Sequence, residues 1–81
     1  PAGSYTTSLL DGGVDATARK VTEEATEVLI AAKDDASAQA AGHDRSDTRV
    51  ALSGEAADLL YHALVIIWAT LHPASMEARD A

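Results

Sequence analysis

Residues 53–72, SGEAADLLYHALVIIWATLH, decide the fold. Pro73 follows directly, so this pattern predicts a long helix that starts near Asp47 and ends near Leu71. Large apolar side chains cover nearly its whole circumference: Leu52, Leu59, Leu60, Leu64, Val65, Ile66, Ile67, Trp68 and Leu71. A helix that is apolar on every side is buried on every side. Since two long helices from one small chain cannot surround it, the sequence predicts that a second copy completes a homodimeric helical bundle. Closure of the core by the short flanking helices of the same chain is the alternative.

The preceding residues predict a second long helix, from about Val14 to Lys33. Heptad-like spacing gives it a predicted core face: Val14, Val21, Ala25, Val28 and Ala32. Residues 34–47, DDASAQAAGHDRSD, are small and polar and predict a flexible loop, although residues 36–41 could extend a helix. Short flanking helices are predicted over residues 4–10, with Ser4 as the N-cap, and over residues 75–79. The expected fold is all-α, with two long antiparallel helices.

Composition restricts the function classes. With 81 residues the chain forms one domain, and the absence of cysteine excludes disulfides and thiolate zinc sites. A net charge of −7, from 13 acidic against 6 basic residues, argues against nucleic-acid and anionic-membrane partners. The longest apolar run, residues 63–69, is too short to span a bilayer. We therefore expect a soluble cytoplasmic protein.

Acidic side chains recur at helical spacing. The predicted helix at residues 14–33 carries Glu23, Glu24 and Glu27. The predicted helix at residues 47–71 carries Glu55 and Asp58. Spacings of three and four residues place side chains on one side of a helix, so antiparallel packing could gather all five carboxylates. Their mutual repulsion would be relieved by a divalent cation, and oxygen ligands favour Mg²⁺ or Mn²⁺ over zinc. Carboxylate-bound Mg²⁺ typically serves phosphate chemistry.

A simpler interpretation stays open at this point. A glutamate-rich helix face with Lys20 four residues before Glu24 is common and indicates only solubility. Glu55 and Asp58 are harder to explain in this way because they interrupt an apolar helix, where an unpaired buried charge is costly.

Three segments carry a family resemblance: residues 4–10 (SYTTSLL), 20–33 (KVTEEATEVLIAAK) and 53–65 (SGEAADLLYHALV). They resemble phosphoribosyl-ATP pyrophosphatases, within the all-α nucleoside-triphosphate pyrophosphatase superfamily. The superfamily shares the acidic motifs EExxE (residues 23–27) and ExxD (residues 55–58). The SYT and DLLYH segments are more specific to the phosphoribosyl-ATP branch of the superfamily. The resemblance implies Mg²⁺-dependent hydrolysis of phosphoribosyl-ATP to phosphoribosyl-AMP and pyrophosphate, the second step of histidine biosynthesis, by a homodimer.

The resemblance also implies residue roles. The implied metal ligands are Glu24, Glu27, Glu55 and Asp58. Glu23 and Glu27 are the implied catalytic carboxylates, and substrate contacts are implied for Lys20, Lys33, Tyr61 and His62. Simpler roles remain open for several of these: a salt bridge for Lys20, a helix-end charge for Lys33 and a core position for His62.

Some features depart from the family pattern. Relatives usually carry a helix ahead of the position of Pro1, so residues 1–81 are expected to form a single family domain that lacks it. The loop at residues 34–47 is expected to be longer than usual.

A housekeeping pyrophosphatase for (deoxy)nucleoside triphosphates and an inactive dimeric bundle remain alternatives. Contact with a phosphoribosyl-AMP cyclohydrolase, the adjacent pathway enzyme, also stays open.

Overall fold

The computed structural model describes residues 4–72, which form three helices and no strand. They are α1 (Tyr5–Asp11), α2 (Gly13–Ala40) and α3 (Ser46–Leu71). The two long helices form an antiparallel hairpin, and α1 packs across one end of it. The radius of gyration is 16.2 Å, against about 12 Å for a compact domain of this length. The all-α prediction is confirmed for these residues, and the predicted turn at residues 75–79 lies outside them.

The short helix α1 begins and ends as the sequence predicts. Ser4 caps it, because the Ser4 hydroxyl oxygen accepts a hydrogen bond from the backbone N–H of Thr7 at 3.0 Å. The helix stops at Gly12, and Gly13 has a φ of +82°, a conformation that favours glycine. This turn folds α1 back onto the hairpin, where Leu9 and Leu10 are buried.

The predicted loop at residues 34–47 is wrong in its first half, because α2 continues through Ala40 and the connection covers only residues 41–45. No helix-breaking residue occurs before Gly42, which has a φ of +70°, and the intervening alanines have high helix propensity. The predicted start of α3 is confirmed to within two residues, at Ser46.

Asp35 ties this connection together. Arg45 donates two hydrogen bonds to its carboxylate, Nε to Oδ1 at 3.1 Å and Nη2 to Oδ2 at 2.6 Å. The Thr48 hydroxyl donates a third, to Oδ1 at 2.9 Å. These hydrogen bonds lower the pKa of Asp35, and the one from Arg45 has the larger effect. Because Asp35 is itself buried, the network fixes the end of α2 against the start of α3.

The predicted core face of α2 is also wrong. The buried residues of α2 are Thr17, Glu24, Ala31 and Asp35. Val14 is 46% exposed and Ala25 is exposed, whereas Val21, Val28 and Ala32 are only partly buried. Polar partners outside α2 determine which face of α2 turns inward. The Thr17 hydroxyl donates to the Leu9 carbonyl oxygen of α1. Asp35 pairs with Arg45, and Glu24 faces His62. The apolar periodicity alone could not report those partners.

Helix α3 buries only one narrow stripe: His62, Val65 and Ala69. Val65 and Ala69 join Leu9 and Leu10 of α1 in a buried apolar cluster. Six other large apolar side chains of α3 are 43–73% exposed: Val50, Leu60, Leu64, Ile67, Trp68 and Leu71. We call these six residues the exposed α3 face. One chain therefore leaves α3 uncovered, as the sequence predicts, and the second copy stays a prediction.

By length and hydropathy alone α3 could cross a membrane. The same test is passed by core helices of soluble proteins, so this single helix is weak support for a membrane protein. Its polar residues argue against insertion, because Glu55 and Asp58 lie near its middle and ionisable groups are costly in hydrocarbon.

Candidate functional site

Three carboxylates from the two long helices meet halfway along the hairpin. One oxygen each from Glu24 on α2 and from Glu55 and Asp58 on α3 lie within 4.8 Å of one another. Glu55 and Asp58 converge because residues three apart share a helix face. Glu24 is buried, Glu55 is partly buried and Asp58 is exposed, so the cluster opens to solvent on one side. We call these three residues the carboxylate triad.

Glu27 adjoins the triad. A hydrogen bond shared with Glu27, together with desolvation, raises the pKa of Glu55 to about 7. Burial raises the pKa of Glu24, and its hydrogen bond with Glu27 raises it further. Neighbouring acids and burial both favour the protonated form, so the crowding keeps Glu55 partly protonated near neutral pH. The four acids predicted as metal ligands thus form one electrostatic cluster.

Two oxygens of this cluster have no hydrogen-bond partner. Within residues 4–72, Oε2 of Glu24 and Oε2 of Glu55 are buried without one. A buried carboxylate oxygen that accepts no hydrogen bond is costly. A divalent cation would satisfy both atoms, and a set of carboxylate oxygens suits a hard ion such as Mg²⁺ or Mn²⁺. The residues present therefore fit a metal site.

Glu23 and Lys20 lie outside the triad. The Lys20 ammonium and the Glu23 Oε2 atom form a salt bridge at 3.5 Å, and both side chains are exposed. The Glu23 charge raises the pKa of Lys20. This is the salt-bridge role that the sequence left open for Lys20. Lys33 is exposed on a later turn of α2. The catalytic role of Glu23 and the substrate contacts of both lysines remain predictions.

His62 forms a wall of the site and is only 5% exposed. Its Nδ1 lies 2.8 Å from the Asp58 backbone carbonyl oxygen, an acceptor, so Nδ1 carries the hydrogen. In the neutral ring Nε2 then accepts from the Tyr5 hydroxyl at 2.5 Å. Nδ1 also lies 3.9 Å from Oε1 of Glu24. Both ring nitrogens are engaged within the chain, which supports the core role that the sequence left open.

Tyr61 lies at the junction of α1 and α3. Its hydroxyl forms a hydrogen bond with the Thr6 hydroxyl, and its ring stacks on Tyr5 with centroids 5.9 Å apart. It also lines an apolar cavity of about 320 Å³, together with Thr6, Leu10, Leu64, Val65 and Trp68. A substrate contact by Tyr61 remains a prediction.

Sequence reasoning missed one residue near the site, Asp34, and one contact, between Tyr5 and His62. Asp34 lines a cavity of about 220 Å³ that Glu27 and Glu55 also line. Its position seven residues after Glu27 would have revealed the shared face, had α2 been extended beyond Lys33. Tyr5 lies 57 residues from His62 in the sequence, so no local spacing could reveal their contact.

Comparison with known proteins identifies relatives. The model of the phosphoribosyl-ATP pyrophosphohydrolase family matches residues 1–70. A phosphoribosyl-ATP pyrophosphatase of Pelotomaculum thermopropionicum is 44% identical over 82 residues, covering 100% of this chain and 71% of the relative. One of Trichlorobacter lovleyi is 47% identical over 74 residues, covering 91% of this chain and 57% of the relative.

A longer relative is the histidine biosynthesis bifunctional protein HisIE of Bacillus subtilis. It is 48% identical over 67 residues, which are 83% of this chain and 26% of the relative. No solved structure matches the chain.

Proposed function

Because the chain belongs to the phosphoribosyl-ATP pyrophosphohydrolase family, a family of hydrolases, we propose that it hydrolyses phosphoribosyl-ATP to phosphoribosyl-AMP and pyrophosphate. This reaction is the second step of histidine biosynthesis, and we propose Mg²⁺ as its cofactor. The observation that supports it best is the carboxylate triad with its two unpartnered buried oxygens. A solvated acidic face would instead leave those oxygens in water.

The proposed metal ligands are Glu24, Glu27, Glu55 and Asp58. A bound Mg²⁺ would neutralise charge on the triphosphate and lower the pKa of an attacking water. Asp58 and Glu27 are the exposed members of this set, so the substrate would approach from their side. The other two members, the buried Glu24 and the partly buried Glu55, would hold the ion from the hairpin interior.

Glu27 is the proposed general base. Its exposed carboxylate adjoins Glu55, so it can orient a water at the open side of the cluster and accept its proton. Glu23, one residue before Glu24, is the second proposed catalytic carboxylate. Lys20 and Lys33 are proposed to contact the triphosphate, and Tyr61 and His62 to shape the substrate pocket. Lys20 would then exchange its salt bridge with Glu23 for phosphate oxygens.

We also propose that the protein acts as a cytoplasmic homodimer. The exposed α3 face is the supporting observation, because six large apolar side chains on one helix are rarely left in water. Leu64→Glu should yield monomers in sedimentation velocity, whereas Arg49→Glu, a charge change near the start of α3, should not. Monomeric wild-type protein at assay concentrations would contradict the dimer.

A phosphoribosyl-AMP cyclohydrolase is the proposed functional partner. It would consume the phosphoribosyl-AMP that this chain is proposed to release, and some relatives are named bifunctional HisIE proteins. Co-sedimentation of the two purified proteins would test direct contact.

The deciding experiment measures pyrophosphate release from phosphoribosyl-ATP with and without Mg²⁺, beside a panel of ordinary and deoxynucleoside triphosphates. Glu27→Gln and Asp58→Asn should abolish Mg²⁺-dependent release while circular dichroism still reports a helical fold. Asp47→Asn, in the first turn of α3, is the matched control and should retain release. Release from a deoxynucleotide instead would support the housekeeping alternative, and release from none would support an inactive bundle.

A further inference from the structure

We propose that Tyr5 is a positioning residue for the metal site, acting by holding the His62 ring beside Glu24. The inference rests on the proposed metal-dependent function. It assigns to α1, which contributes none of the proposed metal ligands, a role in arranging the carboxylates of α2 and α3.

Tyr5 and His62 make two kinds of contact. The Tyr5 hydroxyl lies 2.5 Å from Nε2 of His62. The two rings also meet edge to face, with centroids 5.6 Å apart and planes at 84°. On the other side of the imidazole, Nδ1 donates to the Asp58 carbonyl oxygen at 2.8 Å. Hydrogen bonds at both nitrogens leave the buried ring no freedom to rotate or flip.

The fixed ring lies against two members of the carboxylate triad. It bonds to the backbone of Asp58, and its Nδ1 lies 3.9 Å from Oε1 of Glu24. The other oxygen of Glu24, Oε2, is the buried atom without a partner. The imidazole packs against the Oε1 side of the Glu24 carboxylate, while Oε2 is the oxygen left without a partner. A ring held in place thus limits where the Glu24 side chain can lie, by contact and not by a hydrogen bond. Partners behind metal ligands commonly set ligand orientation in this way.

The chain supplies a matched control for this contact. Thr6 and Tyr61 form a neighbouring hydrogen bond between α1 and α3. Thr6→Val removes that bond with little change in volume and leaves the Tyr5 hydroxyl on His62. If Tyr5 only attached α1 to the hairpin, Tyr5→Phe and Thr6→Val would have the same effect.

The test measures Mn²⁺ binding by calorimetry on the full chain without nucleotide, at a temperature where circular dichroism shows every variant folded. Tyr5→Phe should raise the dissociation constant by about tenfold, the lower end for loss of a partner behind a metal ligand. Thr6→Val should stay within about twofold of wild type. His62→Gln should weaken binding at least as much, and adding Tyr5→Phe to it should weaken binding no further, because the two residues act through one link.

Equal effects of Tyr5→Phe and Thr6→Val would overturn the inference, as would additive effects of Tyr5→Phe and His62→Gln. If Tyr5→Phe does not fold, wild-type affinity in His62→Gln overturns it independently. Failure of the proposed function looks different: wild-type protein would bind Mn²⁺ normally yet release no pyrophosphate. Wild-type protein with no saturable Mn²⁺ binding would overturn both proposals.

Discussion

Lowering the pH from about 8 to about 6 should weaken metal binding by about tenfold through Glu55 alone. The hydrogen bond shared with Glu27 and desolvation raise the pKa of Glu55 to about 7. A carboxyl with that pKa is about nine-tenths ionised one pH unit higher and about one-tenth ionised one unit lower. Only the ionised form is a metal ligand, so the apparent dissociation constant should rise by the ratio of these fractions, about ten.

Isothermal calorimetry with Mn²⁺ across this pH range tests the prediction. Titrations near pH 7 in two buffers with different protonation enthalpies should also detect proton release as the metal binds. Glu55→Gln should bind more weakly but with a flatter pH profile, and Asp47→Asn should keep the wild-type profile. Wild-type affinity that changes by less than about twofold, or the same tenfold change in Glu55→Gln, would refute the reasoning.

The same ionisation acts in the opposite direction on the metal-free fold. The folded-state pKa of Glu55, about 7, lies above its ordinary value of 4.5. The stability that this group contributes is therefore fully present below 4.5 and is lost as the pH rises through about 7. Without metal, Glu55→Gln should accordingly melt at a higher temperature than wild type at about pH 8. With Mg²⁺ added, wild type should gain more stability than the variant, because the variant binds the metal more weakly.

Three further predictions concern the scaffold. Arg45→Lys should lower the urea midpoint of unfolding, because lysine cannot make the two hydrogen bonds that Arg45 donates to Asp35. The pKa of Asp35 is lowered, so the stabilisation from this pair should disappear as the pH falls below 3.8, the ordinary pKa of aspartate. Gly54→Ala should stabilise the protein by about 0.5–1 kcal/mol and Gly13→Ala should destabilise it by about 1 kcal/mol, because Gly54 is helical with open space around it and Gly13 has a φ of +82°. Ala69→Leu should cost about 1–3 kcal/mol in a urea titration, because Ala69 is 1% exposed.

Local sequence chemistry predicted most helix boundaries. The Ser4 cap, the break at Gly12 and Gly13, and the end of α3 before Pro73 each depend on one or two neighbouring residues. The one large error, at the end of α2, has a long-range cause. By sequence alone Asp35 belongs to a small, polar segment typical of a loop. In the structure it lies in α2 and pairs with Arg45, a contact that requires the closed hairpin.

The site was predicted less completely. Motif spacing placed Glu55 and Asp58 on one face of α3, and Glu24 of α2 meets them there. The expectation that all five acids gather is wrong for Glu23, whose exposed carboxylate pairs with Lys20. Motif spacing could not tell which face of α2 turns inward, and Glu24 lies within the helix interface rather than flanking it. It also could not join Tyr5 to His62, since that contact depends on how α1 docks.

The burial of Glu24 has an evolutionary consequence. A helical hairpin of this size would ordinarily place leucine at such a position, and here an acid occupies it, between the small residues Thr17 and Ala31 seven positions away on either side. Glu24→Leu would remove the charge repulsion and give the metal-free hairpin an apolar seam, so it should raise the melting temperature while removing a proposed ligand. Selection for a more durable scaffold and selection for catalysis therefore oppose each other at a single codon.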